Sequence, residues 1–201
     1  MDELLAALDK QSKKEILKYI SSLRDELDIP VIYVSHASDE VAQLADHLIL
    51  MENGRVKATG EMSELLTRLD LSLAHNDDAE DLIEAIVVEH DETYNLTYLE
   101  FPGGRFSVAH KDLTIGHNVR LRVAARDVSL TLEPQSGTSI LNVFHVKVDE
   151  ISPTGSSQVT VRLLAEGVPM LSRITRKSAD LLKLKVGKSL YAQVKSVALL
   201  S

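Results

Sequence analysis

The first residues of the chain hold an acidic pair of the type that phosphate hydrolysis on magnesium requires. Asp2 and Glu3 are adjacent in the opening sequence MDELLAALD. One carboxylate can hold the water shell of the ion, while the next orients the attacking water. Acidic pairs near an N-terminus are also common as solvated charge, so this pair gains meaning only from the residues that accompany it.

A second polar pair follows an apolar segment, PVIYVSH, at residues 30–36. Its β-branched run, Val31 to Val34, predicts a parallel strand buried on both faces. Such a strand delivers Ser35 and His36 to its C-terminal end, where ligands bind in open α/β sheets. The alternative for His36 is a strand-end histidine whose hydrogen bonds are satisfied within the fold.

Helices and a hairpin are predicted around these residues. An apolar stripe predicts a helix over 10–27, and residues 38–46 and 61–70 fit two shorter helices. Asn53-Gly54 between two apolar runs predicts a type I′ hairpin turn. The stripe of the first helix consists of Ile16, Ile20, Leu23 and Leu27. In the second helix Ser38 is the expected N-cap, and Val41, Leu44 and Ala45 are expected to face inward.

The second half of the chain has a β pattern. An acidic stretch from Asp77 to Glu84 is predicted to be a linker or a first helix, and only residues 178–184 beyond it are predicted to be helical. The segment 113–130 also aligns loosely with 184–199, which indicates two related small β modules. Strands are expected within the alternating runs 95–101, 119–123, 128–132, 143–148 and 159–164.

Composition narrows the function classes. The chain has 201 residues, 44% of them hydrophobic, and a net charge of -8 that argues against a general nucleic-acid binder. The absence of cysteine excludes disulfide scaffolds, thiolate zinc sites and cysteine nucleophiles. Residues 101–201 are nevertheless basic, with 14 Lys or Arg against 7 Asp or Glu, so this half could favour an anionic ligand.

Two segments resemble the ATP-binding subunits of ABC transporters, and in particular those of molybdate importers. DELLAALD is similar to the end of the Walker B strand and the D-loop, and VSHASDEVAQLADHLILMENGRV is similar to the switch-histidine segment. The resemblance implies that Asp2 binds magnesium through water and that Glu3 polarises the attacking water. It also implies that Asp9 reaches across a nucleotide-sandwich dimer and that His36 contacts the γ-phosphate of ATP.

The chain departs from this family in its phosphate-binding parts. Leu4 stands where the family has proline, and neither a G-x-x-x-x-G-K-[ST] loop nor the Gly-rich signature occurs in the sequence. VGKS at 186–189 is not such a loop, because Leu182 takes the first glycine position. The chain therefore resembles the C-terminal portion of such a subunit, expected to bind ATP and Mg²⁺ only with the missing N-terminal half and to be inactive alone.

The β half resembles the Mop/TOBE-type modules appended to this ATPase, through ARDVSL at 125–130 and the sequence from TSILNVFHVKVDEI to the end. By this resemblance a molybdate or tungstate oxyanion would be held by Ser139, Asn142, Lys195 and Ser196. Convergent N–H and O–H donors with one nearby cation suit such a ligand. Leu141 stands where the related modules have arginine.

The predicted fold class is a partial α/β nucleotide-binding domain followed by an all-β, OB-like regulatory domain. The expected domains are residues 1–70, an acidic linker at 71–82, and β modules at 83–134 and 135–201. The expected function is the C-terminal part of an ATP-binding subunit that couples ATP hydrolysis to molybdate uptake. One alternative is a non-catalytic molybdate-binding or dimerisation module with an inert ATPase remnant. Another is the ATPase of a different substrate importer, for instance one for a sugar or a polyamine.

The resemblance also implies partners and a location. A homodimer is expected to act with a transmembrane permease, and indirectly with a periplasmic molybdate-binding protein, without nucleic acid. No run of about 18 apolar residues and no secretory leader is found in the sequence. The expected location is the cytoplasm, peripheral on the inner face of the cell membrane.

Overall fold

The computed structural model describes residues 9, 12, 13, 15–17, 19, 20 and 30–200. Of residues 38 and 39 it describes the backbone alone. The chain divides into two compact units at residue 62. The described residues up to Met62 belong to the first unit, and Ser63–Leu200 form the second.

The first unit contains helical residues between 12 and 20, one short helix and one hairpin. Helix α1 spans Ser38–Leu44, and strands β1 (His47–Glu52) and β2 (Arg55–Glu61) pair antiparallel. Asn53 and Gly54 join the strands with φ angles of 51° and 73°. Positive φ at both central residues is the signature of a type I′ turn, so this prediction is confirmed.

Three local predictions in this unit differ from the structure. Val31, Ile32 and Val34 are 49%, 83% and 50% exposed, because no described strand covers both sides of this segment. The N-cap of α1 is Ala37, whose extended backbone precedes the helix, and Ser38 is already its first helical residue. Of the predicted stripe, Ile20 packs against Leu17 and Leu44, but Ile16 is 37% exposed and the buried residue beside it is Leu17. Leu23 and Leu27 lie outside the described residues.

The second unit is mostly β structure. Its helices are short: α2 starts at the unit boundary and spans Met62–Thr67, α3 spans Arg176–Leu181, and 3₁₀ turns cover Ser72–His75 and Ala125–Asp127. Its strands are β3 (Glu80–Asp91), β4 (Leu96–Phe101), β5 (Gly104–Ala109), β6 (Asn118–Ala124), β7 (Val128–Thr131), β8 (Asn142–Thr154), β9 (Gln158–Ala165), β10 (Val168–Thr175), β11 (Ser189–Val194) and β12 (Ala198–Leu200).

These strands form two antiparallel five-stranded sheets that exchange their final strands. One sheet has the order β12-β6-β3-β4-β5, and the other has the order β10-β9-β8-β11-β7. Strand β7 follows β6 along the chain but pairs with β11, while β12 follows β11 but pairs with β6. The repeat seen in the sequence thus corresponds to two strand-turn-strand units, each of which bridges both sheets.

One hydrophobic core lies between and within the two sheets, with three phenylalanine rings at its centre. Phe101, Phe106 and Phe144 have ring centroids 4.6 to 5.1 Å apart, at tilted and edge-to-face angles that aromatic rings favour. Gly103 lies against this cluster, and a Cβ there would come within 2.6 Å of the Ala165 Cβ. Glycine is required at this position by space.

The acidic stretch 77–84 is neither a linker nor a helix along its whole length, because β3 begins at Glu80. Asp81, Leu82 and Ile83 of this strand are buried, whereas the acids on either side of them pair with the neighbouring strand. Glu80 contacts Arg122 at 3.4 Å, and Glu84 contacts Arg120 at 3.3 Å. Cross-strand ion pairs of this kind allow an acidic sequence to form a strand. The α/β organisation of residues 1–70 stays a prediction.

Candidate functional site

The hydrolytic residues suggested by the sequence are only partly within the described structure. Asp2 and Glu3 lie outside the described residues. Asp9 is exposed and acts as a helix cap, because its carboxylate accepts hydrogen bonds from the backbone N–H of Ser12 at 3.1 Å and from its hydroxyl at 2.7 Å. This geometry is the usual way in which an aspartate starts a helix.

His36 is exposed and lies in the short connection that leads into α1. The residue before it is held firmly. Ser35 donates its hydroxyl hydrogen to Glu40 Oε2 at 2.7 Å and accepts a hydrogen bond from the Ala37 backbone N–H at 3.1 Å. Tyr33 donates to the same Glu40 oxygen at 2.5 Å. Helix α1 therefore fixes the backbone on which His36 is presented.

Glu40 is the residue of this site that sequence reasoning missed. It is 4% exposed, and its second carboxylate oxygen contacts Lys13 Nζ at 2.5 Å. Burial by itself would raise its pKa, but the hydrogen bonds from Lys13, Tyr33 and Ser35 outweigh that effect and lower the pKa to about 2. The signal available in the sequence was an acid five positions after Ser35, near the start of the predicted helix 38–46.

The four residues of the expected oxyanion site lie at the same end of the sheet β10-β9-β8-β11-β7, the second sheet. Asn142 opens β8 and is the register partner of Val194, which closes β11 and directly precedes Lys195 and Ser196. Ser139 lies three residues before Asn142 on the connection from β7. The side chains of Ser139, Lys195 and Ser196 are exposed, and no described hydrogen bond or ion pair links the four side chains to one another.

Asn142 differs from the other three because its side chain is buried and already engaged. Its Oδ1 accepts a hydrogen bond from the Ser107 backbone N–H at 2.7 Å, and its Nδ2 donates to the Ser107 carbonyl oxygen at 3.2 Å. The side chain is therefore a link between β8 and β5. One amide hydrogen remains for another acceptor, since an asparagine side chain has two.

Lys195 brings positive charge to this end of the sheet. Its backbone N–H donates to the Asp127 carbonyl oxygen at 3.0 Å, which fixes the chain where β11 leads toward β12. Its side chain has no described ion-pair partner. Leu141, beside Asn142, is 64% exposed and offers no polar group. Of the four expected site residues, Lys195 is the one that carries a positive charge.

Across the described ranges, no three His, Asp or Glu side chains are grouped as ligands for a metal ion. Among the same residues, no helix combines the length and the apolar character that crossing a bilayer requires.

Residues 138–200, which contain β8 to β12, match the TOBE domain family. The fold is also similar to a crystal structure of the cytoplasmic molybdate-binding protein ModG with molybdate bound. That similarity has a TM-score of 0.52 at 23% sequence identity, over 59% of this chain and 94% of that one. At this identity it shows the fold alone: a mostly β, OB-like architecture.

The whole chain is similar to molybdenum import ATP-binding proteins. It is 50% identical over 201 residues to ModC 1 of Azotobacter vinelandii and 52% identical over 204 residues to ModC of Pseudomonas aeruginosa. Each match covers 100% of this chain and 56% of the relative, so the chain spans about half the length of the curated relatives it matches. The resemblance to the C-terminal portion of these subunits is thereby confirmed.

Proposed function

We propose that this chain is the C-terminal portion of the ATP-binding subunit of an ABC importer that couples ATP hydrolysis to molybdate uptake. The observation that carries this proposal is the match of its entire length, at 50% to 52% identity, to molybdenum import ATP-binding proteins. The TOBE domain at 138–200 supports the same assignment. ATP and Mg²⁺ are the proposed cofactors of the assembled enzyme.

The hydrolytic roles follow from the residues of the first unit. Asp2 would hold magnesium through water, Glu3 would polarise the attacking water, and His36 would contact the γ-phosphate. Asp9 would reach across a homodimer that sandwiches the nucleotide. The hydrogen bonds between Ser35 and Glu40 support the role of His36, because they fix the backbone beside it.

The partners and the location belong to the same proposal. A homodimer would act on a transmembrane permease at the inner face of the cell membrane, and a periplasmic molybdate-binding protein would supply the cargo. We propose that residues 71–82, the last three of which already belong to β3, connect the ATPase part, 1–70, to two regulatory modules at 83–134 and 135–201. The basic charge of residues 101–201 supports an anionic effector of this region.

The hydrolytic part is tested by joining this chain to the part of the Azotobacter relative that lies outside the match. We expect phosphate release over many turnovers from the joined protein. Glu3→Gln should abolish release while nucleotide binding is kept, because it removes the base and no phosphate donor. Glu92→Gln, at an exposed carboxylate on a β turn, is the matched control. Turnover unaffected by Glu3→Gln would contradict the assignment.

The oxyanion part is tested on the chain as it is, by calorimetric titration with molybdate. Lys195→Ala should weaken binding by ~1.5–3 kcal/mol, the usual contribution of a hydrogen bond to a charged group. Lys185→Ala, at an exposed lysine before β11, should leave binding unchanged. Absence of heat with both molybdate and tungstate would leave the β region as a structural or dimerisation element.

A further inference from the structure

Asp81 and Asn142 occupy the same position in the two sheets. Asp81 on β3 is the register partner of Val123 near the end of β6, and Asn142 on β8 is the partner of Val194 at the end of β11. Asp81 lies six residues before the register shift that starts at Val87, and Asn142 lies six residues before the shift that starts at Val148. The two side chains are therefore related by the internal repeat.

Each of the two side chains reaches the outer strand of the other sheet. Asn142 contacts Ser107, the fourth residue of β5, and Asp81 contacts Leu171, the fourth residue of β10. Asp81 Oδ2 accepts a hydrogen bond from the Leu171 backbone N–H at 2.8 Å, just as Asn142 Oδ1 accepts one from Ser107 at 2.7 Å. The Asp81 carboxyl group therefore makes the same accepted hydrogen bond as the Asn142 amide group.

The second hydrogen bond of Asn142 has no counterpart at Asp81 unless the Asp81 carboxyl group carries a proton. Asn142 Nδ2 donates to the Ser107 carbonyl oxygen at 3.2 Å. The corresponding atom, Asp81 Oδ1, is buried and has no hydrogen-bond partner among the described residues. A carboxylate oxygen can only accept, whereas a carboxylic acid has one O–H donor. A buried, unpaired carboxylate oxygen facing a strand edge is costly unless it carries a proton.

The surroundings of Asp81 give no compensation for a negative charge. The side chain is fully buried, and its neighbour Glu80 on β3 is acidic. Burial raises the pKa of Asp81 well above its usual range, Glu80 adds to this, and only the Leu171 N–H opposes it. The charged groups on the packed elements are Arg122 on β6, Arg126 and Asp127 in the 3₁₀ turn, and Arg173 on β10. Arg122 contacts Glu80, Arg126 contacts Asp78, and Arg173 contacts Asp77.

We propose that Asp81 is protonated at neutral pH and uses the proton on Oδ1 to hold the Leu171 carbonyl oxygen, as Asn142 Nδ2 holds that of Ser107. The two sheets are then joined by a reciprocal pair of side-chain clamps, one permanent and one dependent on a proton. Loss of the proton leaves a buried negative charge against the edge of β10. The clamp thus makes the union of the two sheets sensitive to rising pH.

The sign of the pH effect follows from the direction of the shift. The folded chain keeps the Asp81 proton above the pKa that the residue has when unfolded, so the contribution is fully present below that value. As the pH rises from about 4 towards the folded pKa, the equilibrium constant for folding falls by up to tenfold per pH unit through this one group. Asparagine at this position would remove the dependence.

The experiment compares the full chain with Asp81→Asn and Asn142→Asp by urea unfolding between pH 5 and pH 9. At pH 8 we expect the equilibrium constant for folding of Asp81→Asn to be at least tenfold larger than that of the parent. At pH 5 the difference should be smaller. Asn142→Asp is the matched counterpart at the equivalent position. It should lose stability with rising pH more steeply than the parent, because it carries a second buried carboxyl group besides Asp81.

A direct measurement covers the case in which a variant does not fold. The ¹³C chemical shift of the Asp81 side-chain carboxyl in the parent chain should be that of a carboxylic acid at pH 7. A carboxylate shift at pH 7 would overturn the proposal, as would an Asp81→Asn chain whose stability falls with pH as steeply as that of the parent. These readouts are independent of ATP hydrolysis and of molybdate binding.

Discussion

The hydroxyl of Ser172 donates a hydrogen bond of 2.6 Å to the carbonyl oxygen of Val128, and both residues are buried. This bond joins β10 to β7, the two outer strands of the second sheet. Ser172→Ala leaves the Val128 oxygen without that partner, and we expect a loss of about 1–3 kcal/mol of unfolding free energy. Urea unfolding monitored by circular dichroism measures it.

A matched control lies next to Val128 on the same strand. Ser129 also donates to a backbone oxygen, that of Gln193, but at 3.4 Å and from an exposed position. Ser129→Ala should change the unfolding free energy by less than about 0.5 kcal/mol. Equal losses for the two variants would show that the buried bond contributes nothing specific to the union of β10 and β7.

The exchange of β7 and β12 predicts how fragments behave. A fragment of residues 135–201 lacks β7, so the edge of β11 and part of the core lose their cover. A fragment of residues 63–201 keeps both sheets complete. We expect the longer fragment to unfold cooperatively and the shorter one to show neither a cooperative transition nor slow amide exchange. A cooperatively folded 135–201 fragment would contradict this dependence.

Residues 69–79 should add stability to the β region as well. Leu69, Ala74 and Ala79 are buried and pack in one cluster with Ala125 and Leu171. A fragment of residues 81–201 removes three of these five side chains. We expect it to fold and self-associate, as the alternating strands predict, but with a lower urea midpoint than the 63–201 fragment. Equal midpoints would show that the cluster is dispensable.

The sequence predicted strands well where apolar residues alternate, because one face of each such strand is buried. It failed where charge pairing replaced that pattern, as at Glu80 and Glu84, whose partners on β6 are distant in sequence. It also failed at Val31 to Val34, where composition predicts extended backbone but burial depends on neighbouring strands. Pairings between β7 and β11 are nonlocal, so the repeat predicted two units without predicting their exchange.

The candidate site shows the same limit. Resemblance identified Asn142, but not that its amide binds Ser107, since this contact joins residues 35 apart in the chain. Glu40 was overlooked because an acid in a short helix usually faces water. Its burial becomes evident only when Lys13 and Tyr33 are seen around it.

Glu40 should stabilise the first unit through its charge. Glu40→Gln keeps the size of the side chain but weakens its bonds to Lys13, Tyr33 and Ser35, and we expect a loss of about 2 kcal/mol. Amide hydrogen exchange of residues 38–44 measures it, with Glu61→Gln at an exposed strand end as control. Unchanged protection in Glu40→Gln would contradict the role.

The lowered pKa of Glu40 also fixes a pH window. A carboxyl whose folded pKa is about 2 and whose ordinary value is 4.5 gives stability that is present above pH 4.5. This stability is lost as the pH falls from 4.5 to about 2. A ¹³C titration of the Glu40 carboxyl should therefore have a midpoint near 2, and a midpoint at or above 4.5 would show that the hydrogen bonds do not favour the charged form.

Leu141→Arg should strengthen molybdate binding at the end of the second sheet. Leu141 is 64% exposed, so an arginine fits without disturbing the core. It precedes Asn142, while Lys195 follows Val194, and the pairing of Asn142 with Val194 places both at the same end of the sheet. A guanidinium beside Lys195 adds a charge-assisted donor for an oxyanion.

We expect binding tighter by about 1.5–3 kcal/mol, or roughly ten- to hundredfold, in calorimetric titration. Leu141→Gln supplies a donor without charge and should give a smaller gain. Equal affinity in Leu141→Arg and the parent would show that the anion, if bound, lies elsewhere on the basic half of the chain.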